Sequence, residues 1–351
     1  SLPLSSTPYL ATALAAKSMC CWCAPVSWDA EALPPNSFTF EPRPLPEMEA
    51  VVARSLTVLI AGGSGMIGTA LTTKLEQAGH KVLLLSRTPG AQRIAWNPES
   101  TPLDLDSIAA EHGPVDVIVN LAGSTISKMP WTAKTKHEIL YSRLSSTNTI
   151  VEAIERAKKK PRALINGSAV GFYGERGNEV LTESSSRGDG FLADVVVSWE
   201  AAAKPAEKHT RVAYARTGLV LGKKGALGPL RLLTTFFASG PLAGGKDWWP
   251  WISLRDEARA LAFLIENDIS GTVNLVAPTP ATSGTLMKAL AKLLGRPYWF
   301  PAPGFAISLV LGQAGRELLL SSQKITPEVL LSSGFTFLDS DVSEGLQSAL
   351  R

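Results

Sequence analysis

The sequence predicts an α/β fold, a doubly wound parallel sheet followed by a small, mainly helical C-terminal region. Three observations carry this expectation. From Thr57 onward, short apolar runs alternate with amphipathic helical patterns, as in chains of βαβ units. The first run, Thr57–Ala61, leads into Gly62-Gly-Ser-Gly-Met-Ile-Gly68 and at once into a helical pattern. Beyond Thr282 strand patterns give way to helices broken at Gly295, Pro301, Pro303, Gly315 and Gly334.

The glycine stretch says most about chemistry. Gly62, Gly65 and Gly68 stand three apart, and Gly63-x-Gly65-x-x-Gly68 fits the dinucleotide fingerprint. A strand must deliver the chain to a tight turn, and a missing side chain lets backbone N–H groups reach a pyrophosphate. The last glycine lets the helix close on the strand, and the helix N-terminus adds partial positive charge. The expected cofactor contacts here are Gly62, Gly63, Ser64, Gly65, Met66, Ile67 and Gly68. The helix runs from about Met66 to Ala78 and stops at Gly79.

The second strand, Lys81–Ser86, ends in Ser86-Arg87-Thr88-Pro89. A site for NAD places Asp or Glu at this strand's end, to hold the ribose 2′-hydroxyl. Ser86 and Arg87 suit a 2′-phosphate instead, so the expected cofactor is NADP. Val115–Leu121 reads as a buried central strand running into Asn120-Leu-Ala-Gly123. The small residues Ala122 and Gly123, following Leu121, let the backbone of Leu121–Gly123 lie close to the cofactor.

A long helix is expected from about Thr132 to Lys158, carrying Arg143, Ser146 and Thr147, with Pro161 ending it. Strand Arg162–Asn166 then leads to Gly167-Ser-Ala-Val-Gly-Phe-Tyr-Gly174. Ser168 is expected just past that strand's C-terminal end, where open α/β sheets hold ligands. Helix Phe191–Lys208, strand Arg211–Thr217, a helix from Ser253 to about Glu266 and strand Thr272–Val276 complete the alternation. Trp248, Trp249 and Trp251, next to glycines, suit a buried loop or the wall of a pocket, packing being the commoner role of tryptophan.

Bulk properties narrow the function classes. A 351-residue chain with 45% hydrophobic and 19% charged residues is ordinary for a globular protein. The net charge of +3 and the dispersed basic residues give no reason to expect nucleic-acid binding. The tight run Lys158-Lys159-Lys160 suits a solvated helix C-terminus. No apolar stretch approaches the roughly 20 residues needed to span a bilayer, so no transmembrane helix is expected. Cys20, Cys21 and Cys23 lie too close together for a disulfide framework, and His80, His112, His137 and His209 lack ligand spacing, so no metal site is expected.

Residues 1–55 stand apart. Residues 1–28 are rich in Ser, Thr, Ala and Leu, with Lys17 their only basic residue and Asp29 the first acid. That composition is like part of an organellar transit segment, although it lacks arginines. Residues 33–46 read as an extended, proline-pinned strap. The expectation is an N-terminal arm, a processing remnant or a docking segment whose Trp22, Trp28, Phe38 and Phe40 lie on its own domain or on a partner. An organelle is the expected location, plastid before mitochondrion. The remainder is expected to divide into a dinucleotide-binding domain, residues 56–240, and a C-terminal region, residues 241–351.

Six motifs occur in order: Gly62-x-x-Gly65-x-x-Gly68, Asn120-Leu-Ala-Gly123, Ser168-Ala-Val-Gly-Phe-Tyr-Gly174, Trp199-Glu-Ala-Ala202, Arg216-Thr-Gly-Leu-Val-Leu-Gly222 and Trp251-Ile-Ser-Leu-Arg-Asp256. Together they resemble the extended (atypical) short-chain dehydrogenase/reductases, specifically the sugar-epimerase-like subfamily that includes the chloroplast-division protein of plants and cyanobacteria. The tail, Phe300-Pro-Ala-Pro303 through Thr326-Pro-Glu-Val-Leu-Leu-Ser-Ser-Gly-Phe-Thr-Phe337, resembles that subfamily's short C-terminal domain. The resemblance covers about residues 56–350. It implies a Rossmann domain binding NADP(H) and a smaller substrate-side lobe.

It also exposes a departure. Active members of the superfamily carry Tyr-x-x-x-Lys on the helix after the serine strand, the tyrosine as acid/base and the lysine lowering its pKa. Here that helix begins Phe191-Leu-Ala-Asp-Val-Val-Val-Ser-Trp-Glu200. Aligned on Glu200, the tyrosine and lysine places hold Leu192 and Val196; one residue earlier they hold Phe191 and Val195. Neither register supplies a titratable pair. The remaining catalytic candidates are Ser168, whose hydroxyl would polarise a carbonyl and would also lie at the cofactor, and Tyr173, which lacks a lysine partner; Lys128, near Asn120-Leu-Ala-Gly123, is the nearest free ammonium in sequence. Two functions follow as expectations: a cofactor-binding structural or regulatory subunit of an organellar assembly, docking through residues 1–55, or an NADP-dependent oxidoreductase or epimerase acting on a small carbonyl or sugar nucleotide.

Overall fold

The computed structural model describes residues 55–350 except 89, 91 and 226. The expected N-terminal arm therefore lies outside the described residues, apart from Ser55. Seven strands form the main sheet: β1 (Thr57–Ala61), β2 (Lys81–Ser86), β3 (Arg93–Ala95), β4 (Val117–Asn120), β5 (Ala163–Ala169), β6 (Arg211–Thr217) and β7 (Gly271–Leu275). All neighbours pair in parallel, in the order β7-β6-β5-β4-β1-β2-β3. The strand order reverses between β1 and β4, and ligands of such sheets bind outside the strand ends at that switch point. The register aligns Ala61 with Asn120 and Asn120 with Asn166, so the ends of β1, β4 and β5 share one row.

The helices are α1 (Met66–Gln77), α2 (Leu105–His112), α3 (Ala133–Arg156), α4 (Phe191–Ala203), α5 (Leu227–Thr235), α6 (Leu254–Glu266), α7 (Ser283–Leu293), α8 (Gly304–Leu319), α9 (Glu328–Ser332) and α10 (Val342–Leu350). On one face of the sheet, Leu71 and Leu75 of α1 and Leu261, Leu264 and Ile265 of α6 pack on Val58, Ile60, Val117 and Val119. On the other, Leu105 and Ile108 of α2 and Ile150 and Ile154 of α3 cover Leu59, Ile118 and Leu164. Central strands covered on both faces need the nearly unbroken apolar sequence they show. Each fully buried Leu or Ile here contributes about 1.5–3 kcal/mol before entropy is counted.

Several elements differ from the sequence expectation. The long helix is Ala133–Arg156, shorter at both ends, with the Thr132 hydroxyl accepting from the Thr135 N–H as its cap. Strand β5 continues to Ala169, so Ser168 lies within the strand, paired with Arg216 of β6. The segment Lys204–Lys208 is a 3-10 turn, entered where Pro205 removes a donor. β3 and α2 arise from a stretch without a clear periodic pattern. The chain beyond residue 240 also returns to the main sheet, contributing both α6 and β7.

The C-terminal lobe has its own core, in which α5, α7 and α10 surround Trp249 and Trp251. Trp249 and Trp251 are buried, and their indole N–H groups donate to the carbonyls of Leu319 and Thr279. The two tryptophans lie in two short strands rather than a loop, Trp248–Trp249 paired with Ala281–Thr282 and Trp251–Ser253 with Leu219–Leu221. The motif Trp251-Ile-Ser-Leu-Arg-Asp256 ties the chain's end to the sheet layer. Fully buried Asp256 accepts from the backbone N–H groups of Leu338 and Asp339 at 2.9 and 2.8 Å and pairs with Arg259, while Arg255 pairs with Asp339 at 2.6 Å. Among the described residues no helix is long and apolar enough to cross a membrane.

Candidate dinucleotide crevice

The turn between β1 and α1 is built so that no side chain fills it. Gly62 has φ +80°, and a Cβ there would lie 2.6 Å from the carbonyl carbon and oxygen of Leu121 and 2.9 Å from the nitrogen of Ala122. A Cβ on Gly68 would lie 2.5 Å from the Gly62 oxygen and 2.6 Å from the Gly63 Cα. The first glycine thus makes the turn against the β4 loop, and the last lets α1 pack on the turn. Ser64 and Gly65 are exposed, while Met66 and Ile67 are half-buried. Gly65 occupies the N-cap of α1 without a capping side chain, and the first turn holds no acid. The N–H groups and dipole of a 12-residue helix are therefore offered to an outside anion. This cradle fits a dinucleotide pyrophosphate.

Beside it, β2 ends with Ser86 half-buried and Arg87 exposed, Arg87 having no hydrogen bond or ion pair among the described residues. Leu121, Ala122 and Gly123 lie across the switch point, where the Leu121 N–H donates to the Ala61 carbonyl. Beside them is a buried polar network. Asn120 Nδ2 donates to Thr147 Oγ1 (2.9 Å) and Asn166 Oδ1 (3.0 Å), and the Trp199 indole N–H donates to the same Thr147 oxygen. These buried bonds hold the β4 and β5 ends in one geometry.

The two catalytic candidates meet in a second network. Ser168 is 5% exposed, and its hydroxyl donates to Glu200 Oε1 at 2.6 Å. Arg216 grips the same carboxylate with Nε and Nη2 at 2.8 and 2.9 Å, and its Nη1 donates to the Tyr173 oxygen at 3.0 Å. The Tyr173 hydroxyl in turn donates to Asn274 Oδ1 at 2.7 Å. The Arg216 guanidinium also lies 3.4 Å from the centre of the Phe172 ring. Tyr173 is fully buried, and burial raises its pKa. Its proton and that of Ser168 are both committed inside the protein. Lys128 lies apart, its ammonium 3.0 Å from Glu138.

Helix α4 completes the picture. Its N-cap, Gly190, offers no side chain, and Glu317 of α8 supplies the missing acceptors, taking the N–H groups of Phe191 and Leu192 at 3.0 and 2.8 Å. Leu192 packs against Gly171, where a Cβ would meet the leucine Cβ at 3.1 Å. Val195 and Val196 are buried. The helix end that would present a tyrosine and a lysine is apolar and closed by a carboxylate of the C-terminal lobe.

One buried acid escaped the sequence reading. Glu257, in the first turn of α6, is fully buried; Oε1 accepts from the Thr217 hydroxyl at 2.8 Å and Oε2 has no partner among the described residues. Burial pushes its pKa up to about 8, outweighing the Thr217 bond, which lowers it. The folded protein therefore holds a proton that the unfolded chain releases at ordinary carboxylate pH. Stability from this group is fully present below about pH 4.5 and falls as pH rises toward about 8. In thermal melts taken from about pH 5 to 8.5, Glu257→Gln is expected to gain on wild type as pH rises through that window.

Comparison with known proteins places this geometry. Residues 58–276 match the NAD dependent epimerase/dehydratase family, and residues 302–349 match a domain of unknown function (DUF1731). An epimerase family protein of Mycobacterium leprae is 38% identical over 86% of this chain and 97% of its own length. A chloroplastic SDR39U1 homolog of Arabidopsis thaliana is 33% identical over 84% of this chain and 87% of its own length. The crystal structure of human SDR39U1 with NADPH superposes with a TM-score of 0.76 and 34% identity, covering 84% of this chain and 99% of that one. With the glycine cradle at the switch point of a parallel sheet and this likeness along most of its length, the chain belongs to the NAD dependent epimerase/dehydratase family.

Proposed function

We propose that this protein binds NADP(H) in the β1–α1 crevice and has little or no catalytic turnover of its own, serving as a structural or regulatory subunit of an organellar assembly. The observation that carries this reading is the contrast between the two halves of the site. The glycine cradle is open and uncapped, whereas the α4 end presents Leu192 and Val196 and is sealed by Glu317. The proposed cofactor contacts are Gly62 through Gly68, Ser86, Arg87 and Leu121 through Gly123. When bound, the cofactor would supply hydride chemistry; the chain's own residues bind it and orient it. Ser168 and Tyr173 brace the crevice wall through Glu200 and Arg216. The NADPH in the human SDR39U1 structure supports the cofactor. The chloroplastic Arabidopsis relative and the composition of residues 1–28 support a plastid.

The family description favours a second reading, an NADP-dependent oxidoreductase or epimerase acting on a small carbonyl or sugar nucleotide. Loss of a tuned general acid removes about 10²- to 10⁴-fold of rate, which leaves slow chemistry open to Ser168. NADPH fluorescence titration, an NADPH-oxidation assay over carbonyl substrates and a product assay for sugar nucleotides with NADP+ present, since epimerisation leaves no net change in the nicotinamide, together separate the two. Tight binding with neither oxidation nor epimerised product supports the first, and either turnover abolished by Ser168→Ala supports the second.

Arg87 sets the cofactor preference. A charge-assisted bond to a 2′-phosphate is worth about 1.5–3 kcal/mol. Arg87→Ala is therefore expected to weaken NADPH by roughly 10- to 100-fold while leaving NADH nearly unchanged. Equal loss of both dinucleotides, measured by the same titration, would remove Arg87 from this role.

A further inference from the structure

Arg143 is a half-buried cation with no acid among the described residues to balance it. It projects from α3 over the loop after β4, and its guanidinium packs where Gly123 lacks a side chain. A Cβ at Gly123 would lie 3.2 Å from the Arg143 Cζ and 3.3 Å from Nη1. Nη1 donates to the carbonyls of Ser124 (3.1 Å) and Ile139 (2.8 Å), and the Trp199 ring backs the guanidinium at 5.0 Å. Among the described residues no carboxylate pairs with it. Burial pushes its pKa down to about 10, which leaves it charged at neutral pH. A charge partly withdrawn from water without a counter-charge is unfavourable.

The fork is half used. A guanidinium carries five N–H donors. The two on Nη1 are spent on carbonyls, while Nε and Nη2 have no partner among the described residues and neither atom is enclosed. Gly123 directly follows Leu121 and Ala122, the residues that the Gly62 turn approaches. The guanidinium therefore packs on the same β4 loop that the Gly62 turn approaches. Trp199 fixes the guanidinium from behind and is itself held by Thr147 and packed on Gly167. A fork held rigidly, with two nitrogens open, suits bidentate capture of an oxyanion.

We propose that Arg143 is an anion-binding residue of the crevice, taking a phosphate or carboxylate oxyanion on Nε and Nη2. This rests on the reading of the crevice as a ligand site. The oxyanion belongs either to the dinucleotide or to a second small ligand beside it, and the chemistry at Arg143 is the same for both.

The test uses the full chain as wild type, Arg143→Lys and Arg143→Met. Inorganic sulfate is the probe for the anion, titrated against chloride at constant ionic strength and read as a shift in Tm. NADPH affinity is read separately by fluorescence. Sulfate is expected to raise the wild-type Tm in a saturable way, by about 3 °C or more at 100 Kd. The shift is expected to shrink in Arg143→Lys, which keeps the charge and loses the fork, and to vanish in Arg143→Met. An additional loss of NADPH affinity of roughly tenfold or more in both variants assigns the oxyanion to the dinucleotide. NADPH affinity within about threefold of wild type, with the sulfate response gone, assigns it to a second ligand. The same sulfate shift in the wild type and in folded Arg143→Lys and unchanged NADPH affinity overturn the proposal and leave Arg143 a clamp between α3 and the β4 loop. If Arg143→Met does not fold, the lysine variant decides. Failure of wild type to bind NADPH would count against the proposed function, while the sulfate comparison would still decide Arg143.

Discussion

Replacing Gly62 with valine is expected to abolish NADPH binding. Two costs combine. At φ +80° an L-residue pays about 1–2 kcal/mol, and a β-branched one pays more. The new Cβ would also lie 2.6 Å from the carbonyl carbon and oxygen of Leu121, which are backbone atoms that no rotamer change can move. The turn and the β4 loop must separate, and both belong to the proposed cradle. A loss of at least about 100-fold in NADPH affinity, equal to roughly 2.7 kcal/mol, is the expected result by fluorescence titration. Gly79→Ala is the control. It has φ +81°, but an added Cβ meets nothing within 4 Å. That variant is expected to lose about 1–2 kcal/mol of stability and keep its cofactor affinity.

Arg216→Met is expected to produce the largest loss of stability among single substitutions in the site. Arg216 and Glu200 form a buried pair, their side chains 5% and 16% exposed. Methionine would leave the Glu200 carboxylate with only the Ser168 hydroxyl, and would strip Tyr173 of the donor to its oxygen. Removing one partner of a buried ion pair costs about 3–5 kcal/mol, because the remaining charge is stranded out of water. In a chain of 351 residues that lowers Tm by about 4–7 °C. Combining Arg216→Met with Glu200→Gln is expected to cost less than Arg216→Met alone, since the stranded charge is then gone. Urea denaturation of the three variants reads this directly. A double variant weaker by the sum of its parts would show that the pair is not the energetic unit.

Much of the cofactor half was legible in the sequence because its information is local. A strand, a glycine turn and a helix occupy consecutive residues, so spacing alone places Gly62 and Gly68. The same holds for Arg87 at the end of β2 and for the apolar residues at the head of α4. What escaped was tertiary. Ser168, Glu200 and Arg216 each lie in a recognisable motif, but nothing local says that they share one carboxylate, 32 and 16 residues apart. Tyr173 reads as an available phenol until Asn274, 101 residues away, is seen to accept its hydrogen bond. Glu257 looks like an ordinary acid in a helix's first turn, favourable to the dipole. Its burial depends on how α6 packs beneath the end of β6. Glu317 closes α4 from a different lobe, and no periodicity in either segment reports that contact.

The most direct measurement has two readouts: the nicotinamide signal of the protein saturated with NADPH during incubation with excess carbonyl substrates, and the sugar products after incubation with sugar nucleotides and NADP+. NADPH fluorescence is expected to saturate on binding, the nicotinamide absorbance is then expected to hold constant over many equivalents of carbonyl, and no epimerised sugar nucleotide is expected to form. Sustained NADPH consumption or epimerisation that Ser168→Ala abolishes, or a wild-type protein that fails to bind NADPH at all, would contradict a binding crevice without its own acid.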